Sequence, residues 1–147
     1  MPVTSFPPSD QHVVSIAVVD DHSIICAVFR SIAEDSPGLT FAWSAPDVRQ
    51  GAAALKRELP GILVVDVNLP DGSGYELARQ TLQEHRNLKV LVVSTNEGRV
   101  YSEQAHKAGA RGYVNKNTSP DELLLAINTI RSGGTYFNPP LKEPGMV

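Results

Sequence analysis

Residues 62–74 read ILVVDVNLPDGSG: four apolar residues, a carboxylate at Asp66, and then a turn carrying Pro70, Asp71, Gly72 and Gly74. A near-continuous apolar run of this length, rich in β-branched residues and bounded by turn signals, is what a strand buried on both faces requires. Such a strand needs helices above and below it. Amphipathic stretches lie on either side, from about Asp47 to Leu59, where Pro60-Gly61 ends the pattern, and from Gly74 to about His85.

The same alternation continues outward. VVSIAVVD (13–20), LTFAWSA (39–45), KVLVVST (89–95) and RGYVNK (111–116) join ILVVDV (62–67) as five short strand-like segments. Those at 13–20, 62–67 and 89–95 are the most apolar and read as interior strands, whereas the other two carry more polar positions and read as edge strands, with Tyr113 a half-buried aromatic on one of them. Residues 22–35 form a helical pattern with Ile24, Ile25, Val28, Phe29 and Ile32 on one face. The last helix opens at Ser119-Pro120-Asp121-Glu122, presents Leu123, Leu124, Ile127 and Ile130 to the core, and stops at Gly133-Gly134. Leu125 falls on its opposite side and is expected to point to solvent, where a partner could touch it. Residues 99–108, RVYSEQAHKA, form the weakest amphipathic segment, with a thin stripe of Tyr101, Ala105 and Ala108 and polar Ser102, Glu103 and His106. Strictly alternating βα units with short connections predict an open, doubly wound α/β sheet of five parallel strands and five helices.

Composition narrows the function. A chain of 147 residues, 41% hydrophobic and 20% charged, suits one core. Its net charge of −3 disfavours gripping nucleic acid through phosphate neutralisation, so direct DNA binding by this chain is not expected. The single cysteine, Cys26, excludes an internal disulfide and a CxxC metal site. The opening MPVTSFPPSD has neither the basic nor the apolar part of a secretory signal, and no apolar run approaches the roughly 18 residues of a membrane helix. A cytoplasmic location without membrane contact is the expectation. Prolines gather in SFPPSD and NPPLKEPGMV, so residues 1–12 and 133–147 read as tails around a domain at 13–132.

In a sheet of this kind, function collects at the carboxyl ends of the strands. Those ends carry Asp20-Asp21, Asp66, Ser94-Thr95 and Lys116. Carboxylates about 4 Å apart repel by roughly 4 kcal/mol per pair at an effective dielectric near 20, so three of them call for a cation. Oxygen donors favour Mg²⁺ or Mn²⁺ over zinc. Lys116 supplies a permanent positive charge facing the acids. An aspartate held between a divalent ion and a lysine, with no Ser-His pair nearby, is suited to act as a nucleophile and become phosphorylated itself.

Four motifs in order, DD (20–21), VVDVNLPDGSG (64–74), VVST (92–95) and AGARGYVNK (108–116), resemble the receiver domains of two-component response regulators. The AGARGY segment and SPDELLLAINTIRSGGTYF look most like the NarL/FixJ (LuxR-type) subfamily. The resemblance implies a flavodoxin-like (βα)5 sheet of order 2-1-3-4-5. It implies Asp66 as acceptor of a phosphoryl group from a sensor histidine kinase, with Mg²⁺ (or Mn²⁺) held by Asp20, Asp21, Asp66 and the backbone carbonyl of Asn68. Lys116 would contact the phosphoryl group, Ser94 would be the switch hydroxyl, and Tyr113 would be the aromatic residue that turns inward with it. Asn68 and Asn96 would occupy positions that in the family tune the phosphoryl lifetime. An effector domain or partner protein would read the switch, typically in transcription regulation, and phosphorylation would promote a homodimer; the alternative is a stand-alone phosphorelay or protein-interaction receiver without a DNA-binding domain. On this reading, residues after 132 begin a linker to an effector, and the chain is a phosphoacceptor rather than a turnover enzyme.

Departures from the pattern lie off the acid cluster. Thr95 stands where many receivers have Ala, Asn117 rather than Pro follows Lys116, and Cys26 and Val28 replace an Arg and a Gly common in the subfamily. Cys26 and Trp43 read as packing residues. His12, His22, His85 and His106 show no metal-ligand spacing, and Gly72 and Gly74 are expected to serve a tight turn. A phosphatase of the haloacid-dehalogenase type would want an acid two residues after Asp66, where Asn68 stands, and a binding-only receiver would have lost an acid or the lysine.

Overall fold

The computed structural model describes residues 13–142. Its elements in chain order are β1 (Val14–Val19), α1 (Ser23–Asp35), β2 (Leu39–Ala45), α2 (Val48–Arg57), β3 (Ile62–Asp66), β4 (Asn68–Leu69), β5 (Gly72–Ser73), α3 (Gly74–Glu84), β6 (Lys89–Ser94), α4 (Arg99–Lys107), β7 (Gly112–Asn115), α5 (Pro120–Arg131) and β8 (Tyr136–Phe137). The main sheet is ordered β2-β1-β3-β6-β7-β8 and every pairing in it is parallel. Its first five strands reproduce the expected 2-1-3-4-5 order. Asn68–Leu69 and Gly72–Ser73 make a separate antiparallel hairpin immediately after Asp66.

Period-two alternation divides the core into two layers. Ile16, Val18, Ile62, Val64, Leu91, Val93 and Val114 face α1 and α5, whereas Ala17, Val19, Leu63, Val65, Val90, Val92 and Tyr113 face α2, α3 and α4. Capping fixes the helix starts: Asp47 accepts from the amide of Gln50, Ser73 from that of Glu76, and Ser119 from that of Glu122. Asp71, in the hairpin turn, accepts from the amides of Val48 at 2.7 Å and Arg49 at 3.1 Å, tying that turn to the start of α2. These bonds hold the Asp71 carboxyl below the ordinary carboxylate range.

Three readings of the sequence change here. In α1 the buried stripe is Ile25, Phe29, Ile32 and Ala33, and Ile24 is 71% exposed. Ile24 lies about 100° around the helix from Ile25, outside that stripe, which α1 fills without it. The stretch from 133 is not wholly a tail, because Tyr136–Phe137 extend the sheet beyond β7. That sixth strand takes the edge position from β7, so Tyr113, expected on a half-buried edge, is fully buried.

Candidate functional site

The strand ends carry the polar groups because parallel strands bring all their carboxyl termini to one rim. At the end of β1, Asp20 is 2% exposed, and at the end of β3, Asp66 is 3% exposed; the Asp21 side chain between them and solvent is 41% exposed. Lys116, just past β7, lies with only 6% of its side chain exposed. Its Nζ donates to Asp66 Oδ2 at 3.0 Å and to Asp20 Oδ1 at 3.2 Å, and sits 2.9 Å from Asp20 Oδ2. The other oxygen of Asp66, Oδ1, accepts from the amide of Asn68 at 3.4 Å. Burial pushes the Asp66 carboxyl above its ordinary value and the charge of Asp20 adds to the rise, while Lys116 pulls it back.

Gly74 shapes this pocket through close approach rather than turn geometry. Neither Gly72 nor Gly74 is among the glycines with positive φ. A Cβ at Gly74 would lie 1.8 Å from the carbonyl oxygen of Asp66, and the Gly74 amide donates to the Val67 carbonyl at 2.8 Å. The hairpin therefore folds back against the peptide of Asp66 itself, and only a residue without a side chain fits.

His22 belongs to the cluster, contrary to the expectation from spacing. Its Nδ1 is 2.8 Å from Asp20 Oδ1, 3.3 Å from Asp21 Oδ1, 3.8 Å from Asp66 Oδ2 and 2.8 Å from Lys116 Nζ. One ring nitrogen cannot donate to Asp20 and accept from Lys116 at once, so these contacts compete. The backbone gives the reason for its position, since the His22 amide also donates to Asp20 Oδ1 at 2.9 Å. Direct succession to the acid pair was the available signal; spacing rules for metal-binding histidines do not register it.

Asp20, Asp21, His22 and Asp66 each offer a ligand atom within 4.8 Å of the others. Among the described residues, Asp20 Oδ2 is the buried side-chain oxygen or nitrogen without a hydrogen bond. Three carboxylates in an oxygen-dominated donor set fit a hard divalent cation, with Lys116 Nζ, 2.9 Å from Asp20 Oδ2, compensating part of their charge.

Ser94 and Tyr113 sit beside the cluster and are joined through Asn96. The Ser94 hydroxyl accepts from the Asn96 amide at 3.0 Å, and the Tyr113 hydroxyl donates to the Asn96 carbonyl at 2.7 Å. Burial pushes the Tyr113 phenol up, and the neighbouring Ser94 hydroxyl opposes the rise. Asn115 Nδ2 also reaches the carbonyls of Thr95 and Asn96, both at 3.4 Å. Cys26 Sγ points at the Asp20 carbonyl at 3.7 Å, and burial raises its thiol, consistent with packing behind the acids. Trp43 donates its indole N–H to the Glu58 carbonyl at 2.8 Å.

The sequence and the fold both have known relatives. Residues 16–128 match the family described as the response regulator receiver domain. The chain is 32% identical over 126 residues to the transcriptional regulatory protein UhpA of Salmonella typhimurium, covering 86% of this chain and 63% of that protein. It is 30% identical over 131 residues to the response regulator GacA of Pseudomonas aeruginosa, covering 88% of this chain and 61% of that one. The chain thus spans about three-fifths of the length of these relatives. Among solved structures, a LuxR-family two-component response regulator from Aurantimonas sp. SI85-9A1 superposes with a TM-score of 0.80 at 31% identity, over 86% of this chain and 91% of that one.

Proposed function

The chain belongs to the response regulator receiver domain family, and from that membership we propose that Asp66 accepts a phosphoryl group from a sensor histidine kinase and thereby switches the conformation read by an effector. The observation that carries the proposal is the Asp66 carboxylate, buried, with one oxygen on Lys116 Nζ at 3.0 Å and the other facing the Asn68 amide. Asp20, Asp21, Asp66 and the backbone carbonyl of Asn68 are the groups that would hold Mg²⁺ (or Mn²⁺). When bound, the ion would neutralise negative charge at the site as the phosphoryl group arrives.

A carboxylate oxygen of Asp66 attacks phosphorus. The bond from phosphorus to the donor nitrogen of phosphohistidine, or to the donor oxygen of an acyl phosphate, breaks with its electron pair leaving on the donor. The product is an acyl phosphate on Asp66. Lys116 compensates negative charge that gathers on the phosphoryl oxygens, and the Ser94 hydroxyl, freed from the Asn96 amide, donates to a phosphoryl oxygen. Attack of water on phosphorus returns the carboxylate and inorganic phosphate, with Asn68 and Asn96 controlling access. The chemistry is a single self-modification rather than turnover of a substrate.

The receiver unit on this reading starts near residue 13 and continues past α5 through Tyr136–Phe137. It works in the cytoplasm alongside its kinase, and its effector serves transcription, the role printed in the name of UhpA. No helix among the described residues is long and apolar enough to cross a membrane.

Incubation with radiolabelled acetyl phosphate and Mg²⁺ tests the assignment. One phosphoryl group per chain is expected, absent in Asp66→Asn and absent in excess chelator. Equal labelling of the Asn variant would overturn it.

A further inference from the structure

The segment that follows α5 makes bonds to three elements at once. On β7, the Tyr136 amide donates to the Arg111 carbonyl and the Asn138 amide to the Tyr113 carbonyl, both at 2.9 Å. Toward α5, the Tyr136 hydroxyl and Asn138 Nδ2 donate to Glu122 Oε2 at 2.6 and 3.0 Å. Toward α4, Ser102 Oγ donates to the Pro139 carbonyl at 2.7 Å, Arg99 Nε donates to that of Pro140 at 3.2 Å, and the His106 and Phe137 rings meet edge to face at 5.6 Å. Ser102 is wholly buried. A buried hydroxyl is tolerated because it is bonded, and its partner is this strap.

The elements the strap clasps are those that begin at the switch. Asn96 receives Tyr113 on its carbonyl and gives its amide to Ser94, and two residues later Gly98 caps α4. Tyr113 in turn offers its carbonyl to Asn138. Helix α4 is held to the sheet lightly, with Ser102 and Ala105 its buried residues. A cleft of about 540 Å³, lined by Asn96, Arg99, Asn115, Asn138 and Pro139 among others, separates the switch loop from the end of the strap. The loop therefore has room to move.

We propose that the face formed by α4, β7 and α5 is an interaction surface whose occupant in the unphosphorylated chain is its own strap, residues 135–140, and that phosphorylation of Asp66 loosens this grip. The inference rests on Asp66 being the phosphoacceptor. Drawing the Ser94 hydroxyl toward a phosphoryl oxygen releases the Asn96 amide and shifts the start of α4, while β7 stays fixed by its pairing with β6. A strap bonded to both cannot follow both. Shifts of about 1–2 Å, ordinary for helices in switching proteins, take hydrogen bonds of 2.7–3.2 Å beyond useful range. The loosened strap uncovers the face and repositions the chain that continues beyond it.

Thermodynamic reciprocity supplies a stringent test. Hydrogen exchange at the Tyr136 and Asn138 amides is measured in the full chain with and without beryllofluoride and Mg²⁺, and beryllofluoride affinity is measured in wild type, Ser102→Ala and Tyr136→Phe. Exchange at both amides should rise at least about tenfold with the mimic bound. Both variants, whose straps are already weakened, should bind the mimic about fivefold more tightly or better, an effect that a purely structural contact would not produce. Unchanged strap exchange while the Ser94–Asn96 loop responds would overturn the inference and leave the phosphoacceptor assignment standing. So would variants with loosened straps and unaltered mimic affinity. Failure of wild type to bind the mimic at all would instead overturn the assignment of Asp66, and this inference with it.

Discussion

Asp66 has been placed where ionising it is costly to the fold. Burial lifts its carboxyl above the ordinary value of 3.8, with the neighbouring Asp20 charge in support. Because the folded pKa exceeds the unfolded one, ionisation takes stability away as pH rises through the folded value, and the loss disappears where both states are protonated. Asp66→Asn, neutral throughout and leaving Lys116 with Asp20, should therefore raise stability at pH 7 without divalent ions, by on the order of 1 kcal/mol. The gain should shrink as pH is lowered toward about 4. Thermal melts of both proteins across that range check it, and a destabilised Asn variant at neutral pH would contradict it. The acids and lysine were legible in sequence because strand ends in a parallel sheet share a rim. His22 was not, since its place depends on the backbone turning after Asp20 so that one amide and one ring meet the same carboxylate oxygen.

Among elements, α1 shows how far a hydrophobic face can be read from spacing. Five apolar positions fit one side of the helix, but the sheet needs a narrower stripe. Phe29 is wholly buried and Ile24 is 71% exposed. Phe29→Ala should cost about 3–5 kcal/mol through lost burial and the cavity left behind, whereas Ile24→Ala should stay within about 0.5 kcal/mol. Chemical denaturation separates the two, and comparable losses would mean that Ile24 is packed in solution. Helix α4 teaches the converse. Its polar Ser102 looked like a weakness in the amphipathic pattern, yet the residue is as fully buried as Ala105 because a carbonyl from a distant part of the chain, Pro139, meets it. Contacts across 37 positions leave no trace in a local periodicity. Leu125, by contrast, is 54% exposed, as its place opposite the core stripe of α5 foretold.

For the whole molecule, alternation of buried strands and amphipathic helices was enough to foresee the doubly wound sheet and its strand order, because those patterns record which faces meet the core. The sixth strand escaped because two residues carry no period, and the prolines beside Tyr136–Phe137 argue locally for a tail. What admits that strand is a gap on its neighbour: a Cβ at Gly112 would lie 2.6 Å from the Tyr136 carbonyl. The hairpin after Asp66 is a second place where absent atoms matter. Its turn, Pro70 to Ser73, is exposed, yet Gly74 rests directly on the peptide of the buried carboxylate. The turn is thus an external handle on the chemistry. A binding protein selected against residues 70–73 should slow labelling of Asp66 from acetyl phosphate without competing for Mg²⁺, and labelling at the free rate under saturating binder would refute the coupling. An inhibitor of this switch need not be an anion or a chelator; it can be a neutral ligand that pries at a surface loop and never sees the acids.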